Sequence, residues 1–199
     1  IAMLNVGIVG ASGYTGLELV KILSLHSKVN ITHIFSKQFK GQAFHSLFPD
    51  LTYELDLIFE EFDPTSIDQS IDVLFLAMPH ANTHEFMPNL LQKNIKVIDL
   101  SADFRLKDPV LFKSYYKVDH LSENLLDSVV LGWPELHRES LKVADACANP
   151  GCMSSSVVLA LYPLIKAGIV SKQIIVDSKT GVSGAGKALK EPSLYAEAK

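Results

Sequence analysis

The chain has 199 residues, of which 48% are hydrophobic and 20% are charged, and its formal net charge is −4. This composition is typical of a globular protein, and the absence of a Lys/Arg block argues against a nucleic-acid or anionic-membrane surface. The longest apolar runs are much shorter than the ~20 residues of a membrane span, and no basic-then-apolar leader precedes them, so we expect a cytoplasmic protein.

The first predicted elements are a strand, a tight turn and a helix. Val6, Ile8 and Val9 form a short β-rich run. After several small residues, Leu17 and Val20 open an apolar pattern at helical spacing. The segment "NITHIFS" then reads as a second strand.

Two more strands follow, on either side of a predicted helix. "SIDVLFLAMP" is the near-continuous apolar run of a strand buried on both faces, and "IKVIDLSADF" is similar. Between them, "HANTHEFMPNLLQKN" reads as a helix. Strands that alternate with helices predict an α/β protein with a Rossmann-like, doubly wound parallel sheet.

The pattern changes after Arg105, where charges, turns and short amphipathic pieces become more frequent. "SSSVVLALYPLIKAG" predicts a buried helix that stops at Gly168, and "IVSKQIIVDSKTGVSGAG" predicts a strand running into a glycine-rich loop. We therefore predict an NADP-binding Rossmann-like domain over residues 1–148. Residues 149–199 are the beginning of an α+β catalytic domain, too short to form an independent core, so we expect a truncated chain.

A glycine-rich loop lies between the first predicted strand and helix, in the pattern G-x-x-G-x-x-G. Glycines allow the backbone to turn sharply and to approach a pyrophosphate, which the N–H groups of the helix N-terminus stabilise. The alternative is a purely structural tight turn, which the surrounding strand–turn–helix pattern disfavours. The predicted cofactor-binding residues here are Gly10, Ala11, Ser12, Gly13, Tyr14, Thr15 and Gly16.

The end of the second strand indicates which dinucleotide is bound. An NAD site usually offers a carboxylate to the ribose 2′-hydroxyl at this point. Here the strand ends without an acid, and Ser36 and Lys37 suit a 2′-phosphate better. The alternative is that Lys37 is a solvated loop lysine. We predict NADP as the cofactor.

The two cysteines, Cys147 and Cys152, have neither a redox nor a zinc-ligand spacing, so we expect reduced thiols and no metal site. Cys152 stands at the predicted N-terminus of a helix, where free N–H groups stabilise a thiolate. Position alone leaves two alternatives open, a nucleophile or a small apolar core residue. Beside a nicotinamide, the thiolate would attack an activated acyl group to form an acyl-thioester. The thioester would then accept a hydride from NADPH, and an aldehyde would leave. We predict that Cys147 is structural.

Five motifs occur here in the order found in a known family: "GIVGASGYTGLEL", "IDLSADFRL", "GWPEL", "NPGC" and "GVSGAGK". The chain resembles the N-acetyl-gamma-glutamyl-phosphate reductases of arginine biosynthesis from Leu4 to about Lys187. The resemblance implies an NADPH-dependent reduction of an acyl phosphate to a semialdehyde, with Cys152 as the thioester-forming nucleophile. It also implies that Ser183 and Gly184 line the cofactor and active site.

Arg105 is a candidate for the substrate anion, because a guanidinium can bind phosphate or carboxylate bidentately. Pairing with Asp103 or Asp108 is the equal alternative, and Ser101 could add a hydrogen bond. The resemblance also implies a catalytic histidine downstream of Cys152. All seven histidines precede Cys152, so we expect this residue to lie outside the 199 residues.

Two alternative functions stay open: a non-catalytic nucleotide-binding fragment, and a related acyl-phosphate reductase. The latter would resemble aspartate-semialdehyde dehydrogenase or the lysine-pathway aminoadipyl-phosphate reductase. For the protein as a whole we expect a homo-oligomer with a small-molecule acyl phosphate as its substrate. We expect no nucleic-acid or membrane partner.

Overall fold

A computed structural model of the chain describes residues 3–51, 55–170 and 173–187. These residues divide into two compact units, residues 1–149 and residues 150–199. The described strands are all in the first unit. In chain order they are β1 (Leu4–Val9), β2 (Val29–Phe35), β3 (Phe59–Glu60), β4 (Val73–Leu76), β5 (Lys96–Asp99), β6 (Val130–Leu131) and β7 (Ala146–Ala148).

The strands form one parallel sheet in the order β3-β2-β1-β4-β5-β7-β6. In the register, Ile8 of β1 pairs with Ile34 of β2 on one side and with Phe75 of β4 on the other. The chain first builds outward from β1 to β3 and then returns to add β4 on the opposite side. This reversal creates a crevice at the carboxyl ends of β1 and β4, where open α/β sheets bind ligands. The predicted Rossmann-like, doubly wound sheet is confirmed.

The described residues also form six helices, of which the first five connect strands of the sheet. They are α1 (Tyr14–Ser24), α2 (Phe44–Leu47), α3 (Thr83–Gln92), α4 (Pro109–Tyr116) and α5 (Pro134–Val143) in the first unit, and α6 (Cys152–Lys166) in the second. Two 3₁₀ turns span Glu123–Leu125 and Val182–Ala185.

Two apolar cores lie on opposite faces of the sheet, because successive strand residues point to opposite sides. Ile8 of β1 belongs to one core with Val20 of α1, and all of these side chains are fully buried. Leu74 and Leu76 of β4 belong to the other core, where they pack with Met87 of α3. Full burial of one such aliphatic side chain contributes about 1.5–3 kcal/mol, so this packing fixes the sheet that carries the crevice.

Helix α3 contains a proline, and another part of the chain compensates for it. Pro88 has no N–H to donate to the carbonyl of His84 four residues earlier. The buried hydroxyl of Ser122 donates to that carbonyl instead. His84 Nδ1 also accepts from the backbone N–H of Leu121 at 3.1 Å. The irregular segment after α4 is therefore hydrogen-bonded directly to α3.

The second unit departs from the sequence prediction in its burial. Helix α6 forms as predicted, but none of its residues is buried, so the prediction of a buried helix is wrong for the described residues. Its end was predicted correctly. Gly168 has φ +70°, and the N–H groups of Gly168 and Ile169 donate to the carbonyls of Ile165 and Leu164. Apolar composition predicts that a helix face needs cover, but it does not supply the covering element.

The predicted strand before the "GVSGAG" loop is also wrong for the residues that the structure describes. Residues 173–180 form no strand, and Ile175 is 88% exposed. Residues 171 and 172 lie outside the described residues. An extended segment becomes a strand only when a neighbour pairs with its N–H and C=O groups, and a single segment's pattern cannot reveal that neighbour.

Candidate active site

The loop after β1 has two positions where only glycine fits. Gly10 has φ +81°, and a Cβ on it would lie 2.2 Å from the carbonyl oxygen of Ala77. A Cβ on Gly16 would lie 2.3 Å from the carbonyl oxygen of Gly10. These close approaches let α1 begin directly above the crevice between β1 and β4.

The N-terminus of α1 has the features of an anion site. Its N-cap residue, Gly13, has an extended backbone and supplies no side-chain cap to the first-turn N–H groups. Tyr14 and Thr15 of the first turn are exposed, whereas Ala11 is fully buried. Exposed N–H groups and the helix dipole favour a pyrophosphate here. The residues of the predicted loop therefore fit a dinucleotide, and Ser12 adds a hydroxyl that lies 2.9 Å from that of Ser36.

A cavity of about 360 Å³ opens beside this loop, at the carboxyl ends of β1, β2 and β4. Gly10, Ser36 and Lys37 all line it, so the structure brings these predicted cofactor residues together. Phe62 and Met78 add apolar wall, against which the apolar face of a base could pack. This cavity fits one end of a dinucleotide.

An acid also lines this cavity, and the sequence analysis did not identify it. Glu61 follows β3, and its Oε2 lies 2.7 Å from Nζ of Lys40. The hydrogen bond and charge of Lys40 hold the pKa of the Glu61 carboxyl below its usual value. The alternation in "LIFEEF", with Leu57 and Phe59 buried and Ile58 exposed, is the signal that could have revealed β3.

The segment after β5 forms a buried polar network rather than an open binding surface. Ser101 Oγ donates to Asp99 Oδ2 and lies 2.9 Å from the hydroxyl of Thr83. Burial raises the pKa of Asp99 to about 6, although hydrogen bonds from Ser101 and Thr83 act in the opposite direction. Ser101 is itself fully buried, which argues against the predicted substrate contact because its hydroxyl has no opening to a ligand.

Asp103, in the same segment, caps α3. Its carboxylate accepts from the backbone N–H groups of Ala81, Asn82, Thr83 and His84, at 2.6, 3.0, 2.8 and 3.2 Å. The negative charge thus lies at the positive end of the helix dipole, which stabilises a carboxylate that is fully buried. This cap fixes the loop from β4 to α3, whose first residues line the cavity.

Arg105 contacts the backbone at two points. Its Nε donates to the carbonyl of Asn149 at 2.8 Å, and its terminal nitrogen donates to the carbonyl of Leu100 at 2.7 Å. Asp108 serves as the N-cap of α4 by accepting from two backbone N–H groups. The described hydrogen bonds make Arg105 a positioning residue for Asn149, and the substrate-anion role stays a prediction.

The second unit contains the other predicted site residues. Cys152 is exposed and is the first residue of α6, after the N-cap residue Gly151. Ser154 donates from its hydroxyl to the carbonyl of Gly151, so it does not cap the helix N–H groups. Ser183 and Gly184 are exposed residues of the second 3₁₀ turn.

Cys147 differs from Cys152 in its place in the fold and in its exposure. It lies in β7, and a Cβ on Gly132 would meet its Sγ at 2.8 Å. Burial, followed by the charge of Asp99, raises the pKa of Cys147 to about 11. A half-buried thiol that resists ionisation is a packing group, so Cys147 is poorly suited to nucleophilic attack.

The described residues contain neither a membrane-spanning helix nor a metal-binding cluster. No helix there combines the length and the hydropathy needed to cross a membrane. In the same residues, no three His, Cys, Asp or Glu side chains are grouped so that they could hold a metal ion.

Comparison with known proteins identifies relatives along nearly the whole chain. N-acetyl-gamma-glutamyl-phosphate reductase from Pelobacter propionicus is 44% identical over 98% of this chain and 56% of its own length. The protein of the same name from Citrifermentans bemidjiense is 42% identical over the same shares. The resemblance inferred from the five motifs is thus confirmed, and the chain spans about 56% of the length of these relatives.

Solved structures show the same fold at low identity. Aspartate semialdehyde dehydrogenase II from Vibrio cholerae, complexed with ASA, has a TM-score of 0.63 at 18% identity. It matches 94% of this chain and 49% of its own chain. Aspartate semialdehyde dehydrogenase from Candida albicans, solved with NADP, has a TM-score of 0.62 at 15% identity, over 85% of this chain and 48% of its own.

Two family models match the chain in succession. The semialdehyde dehydrogenase NAD binding domain matches residues 5–144, which include the glycine loop, the sheet and the cavity. The semialdehyde dehydrogenase dimerisation domain matches residues 152–199, beginning at the exposed cysteine. From the extent of the first match alone, this chain belongs to the semialdehyde dehydrogenase family.

Proposed function

We propose that this chain is part of an NADPH-dependent reductase that converts N-acetyl-gamma-glutamyl phosphate to N-acetylglutamate semialdehyde. One observation carries the proposal. Relatives with that name are 38–44% identical over 98% of the chain, a span that includes both the glycine loop and Cys152. The exposed thiol at the start of α6 and the cavity beside the glycine loop of the first unit support this chemistry.

Within this proposal, Cys152 is the nucleophile. Its thiolate attacks the carbonyl carbon of the acyl phosphate, the C–O bond to phosphate breaks, and inorganic phosphate leaves with the bonding electron pair. When bound, the nicotinamide cofactor supplies the hydride that the thioester carbonyl accepts. The C–S bond then breaks, so the aldehyde leaves and the Cys152 thiolate returns for another cycle.

The other predicted residues have supporting roles in the proposal. The loop from Gly10 to Gly16 binds the pyrophosphate, and Ser36 and Lys37 receive the 2′-phosphate of NADP. Ser183 and Gly184 line the cofactor and active site. In this proposal, residues 1–148 form the cofactor domain and residues 149–199 are the beginning of the catalytic domain. A homo-oligomer fits a chain whose second part matches a dimerisation domain. The cytoplasmic location stays a prediction.

The test is to trap the acyl-enzyme. The 199-residue chain is incubated with N-acetyl-gamma-glutamyl phosphate without NADPH, and the cysteine peptides are weighed by mass spectrometry. We expect an acyl adduct on Cys152 that Cys152→Ser abolishes and Cys147→Ala leaves in place. NADPH added to the trapped enzyme should discharge the adduct as the semialdehyde.

The same assay separates the competing functions. An adduct that forms faster with aspartyl phosphate would assign the chain to the aspartate-semialdehyde branch of the family. Dinucleotide binding with no adduct from either acyl phosphate would favour a nucleotide-binding module and contradict the proposed reaction for this chain.

A further inference from the structure

Three charged side chains gather at the end of the cavity formed by β2 and β3. The parallel register pairs Phe35 with Glu60, and the N–H of Ser36 donates to the Glu60 carbonyl at 2.9 Å. Lys37, two residues after β2, and Glu61, directly after β3, both line the cavity. This is the side of the fold where a dinucleotide places its adenosine ribose.

Lys40 completes the cluster. Its Nζ lies 2.7 Å from Glu61 Oε2, and its loop is attached to β3 because the Gly41 N–H donates to the Phe59 carbonyl at 2.7 Å. The charges of Lys40 and, more weakly, of Lys37 both lower the pKa of Glu61. The cluster thus holds two cations around one carboxylate.

Asp63, another acid nearby, is hydrogen-bonded within its own turn. Its carboxylate accepts from the N–H and the hydroxyl of Thr65 and from the hydroxyl of Ser66, at 2.7–2.8 Å. Because its carboxylate already accepts these three hydrogen bonds, Asp63 is poorly placed to bind the ribose. Glu61 is therefore the acid to consider at the cavity wall.

The two nicotinamide dinucleotides make opposite demands on such a cluster. A carboxylate accepts a hydrogen bond from the 2′-hydroxyl of NAD but repels the 2′-phosphate of NADP. A lysine attracts that phosphate, and it also cancels the charge of a carboxylate to which it is paired. Pairing Glu61 with Lys40 therefore changes which dinucleotide the cavity favours.

We propose that the Lys40–Glu61 pair determines the cofactor preference of this site. Lys40 masks the Glu61 carboxylate, so that the 2′-phosphate can bind beside Lys37. If Lys40 is removed, Glu61 becomes a ligand for the 2′-hydroxyl and a barrier to the phosphate. The inference rests on the proposed dinucleotide site and names the residues that give it specificity.

The experiment measures Kd values for NADP⁺ and NAD⁺ by isothermal titration calorimetry on the 199-residue chain. Lys40→Met should weaken NADP⁺ binding about tenfold, while NAD⁺ binding stays the same or tightens. Glu61→Gln should leave NADP⁺ binding unchanged or tighter and should change NAD⁺ binding little, because Lys40 already masks the carboxylate. Lys40→Met should raise the Kd for NADP⁺ less in the Glu61→Gln background than in the wild type. The factor of increase should be at least about threefold smaller there, because the coupling between the two side chains is lost.

Lys142→Met is the matched control. Lys142 also pairs with a glutamate at 2.7 Å, but on α5, which contacts β6 at the opposite end of the sheet from β3. It should leave the ratio of the two Kd values unchanged. Thermal melts confirm folding, which both Lys40 variants should retain because the Lys40 and Glu61 side chains are 63% and 49% exposed.

The outcomes separate the inference from the function on which it rests. A wild-type chain that binds neither dinucleotide overturns the proposed function and this inference together. A wild type that prefers NADP⁺, with the same preference in Lys40→Met, overturns this inference alone. Equal costs of Lys40→Met with and without Glu61 also contradict it, since the pair would then be uncoupled.

Discussion

Thr83 donates its backbone N–H to one oxygen of Asp103 at 2.8 Å, and its hydroxyl oxygen lies 3.0 Å from that same oxygen. Thr83 begins α3 directly after the loop from β4, and Asp103 lies in the loop after β5. Because β4 and β5 are neighbours in the sheet, this contact joins two consecutive loops at the carboxyl edge. The wall of the crevice is thus braced by a buried carboxylate.

Removing the Asp103 carboxylate should destabilise the protein strongly. Asp103→Ala would leave four buried or half-buried N–H donors without their acceptor, and we expect a loss of about 3 kcal/mol or more in the free energy of unfolding. Asp108→Ala, which removes the exposed N-cap of α4, should cost only about 1 kcal/mol. Urea unfolding of both variants checks this, and equal losses would contradict the bracing role of Asp103.

Gly10 and Gly41 are glycines for different reasons: Gly41 because of its positive φ alone, and Gly10 also because another part of the backbone lies close to it. Both have φ +81°, but a Cβ on Gly10 meets the Ala77 carbonyl at 2.2 Å, whereas a Cβ on Gly41 meets nothing within 4 Å. Gly41→Ala should therefore cost about 1 kcal/mol of backbone strain alone. Gly10→Ala should cost about 3 kcal/mol or more and weaken dinucleotide binding, as measured by thermal melts and titration. Similar melting temperatures for the two variants would refute the close approach.

The pKa of Asp99 is raised to about 6 from 3.8 for the free group, and this predicts the direction in which stability changes with pH. The folded state binds the Asp99 proton more tightly than the unfolded state, so the stability of the fold falls as pH rises from about 4 to about 6. Above pH 7 both states have lost the proton and the contribution is flat. The total effect is on the order of 3 kcal/mol.

Asp99→Asn isolates this contribution, because the amide cannot titrate. We subtract the unfolding free energy of the variant from that of the wild type, both measured in urea from pH 4 to pH 7. This difference should decrease as pH rises. Contributions from groups that do not interact with Asp99 cancel in that difference. A difference that does not change with pH would show that Asp99 ionises normally in the fold.

The two thiols should react at different rates in the native protein. Cys152 is exposed, whereas burial raises the pKa of Cys147 to about 11, so iodoacetamide at pH 7.5 should label Cys152 at least tenfold faster. Cys147→Ala should keep the fast phase and Cys152→Ser should lose it. In urea both sites should label alike, and equal rates in the native state would contradict the assignment of Cys147 as a packing residue.

Most of the first unit could be predicted because its signals are local. The runs around Ile8 and Leu74 are apolar over several consecutive residues, which is typical of strands covered on both faces. Gly10 and Gly16 mark the loop because the chain must turn within a few residues there. The β3 strand, only Phe59–Glu60, was missed, and with it Glu61, because the alternation in "LIFEEF" covers too few residues to stand out from a loop.

The polar residues after β5 were harder to interpret, since their roles depend on distant partners. Ser101 and Asp103 look like loop residues in sequence, yet their partners lie 18 to 22 residues earlier in the chain. Arg105 reaches a carbonyl 44 residues away, which no local motif encodes. Charge and residue type predicted that these side chains make polar contacts. Only the packing of the folded chain determines which groups they contact.

Pro88 leaves the His84 carbonyl available, and Ser122 binds it. The chain thereby exchanges one hydrogen bond inside a helix for one between two segments that are 38 residues apart. Opening of the segment around Ser122 must break a bond of α3, and fraying of α3 must release that segment. We therefore expect the amide protons of both regions to exchange with solvent as one cooperative unit. The proline in α3 thus couples the unfolding of the helix to that of the segment around Ser122.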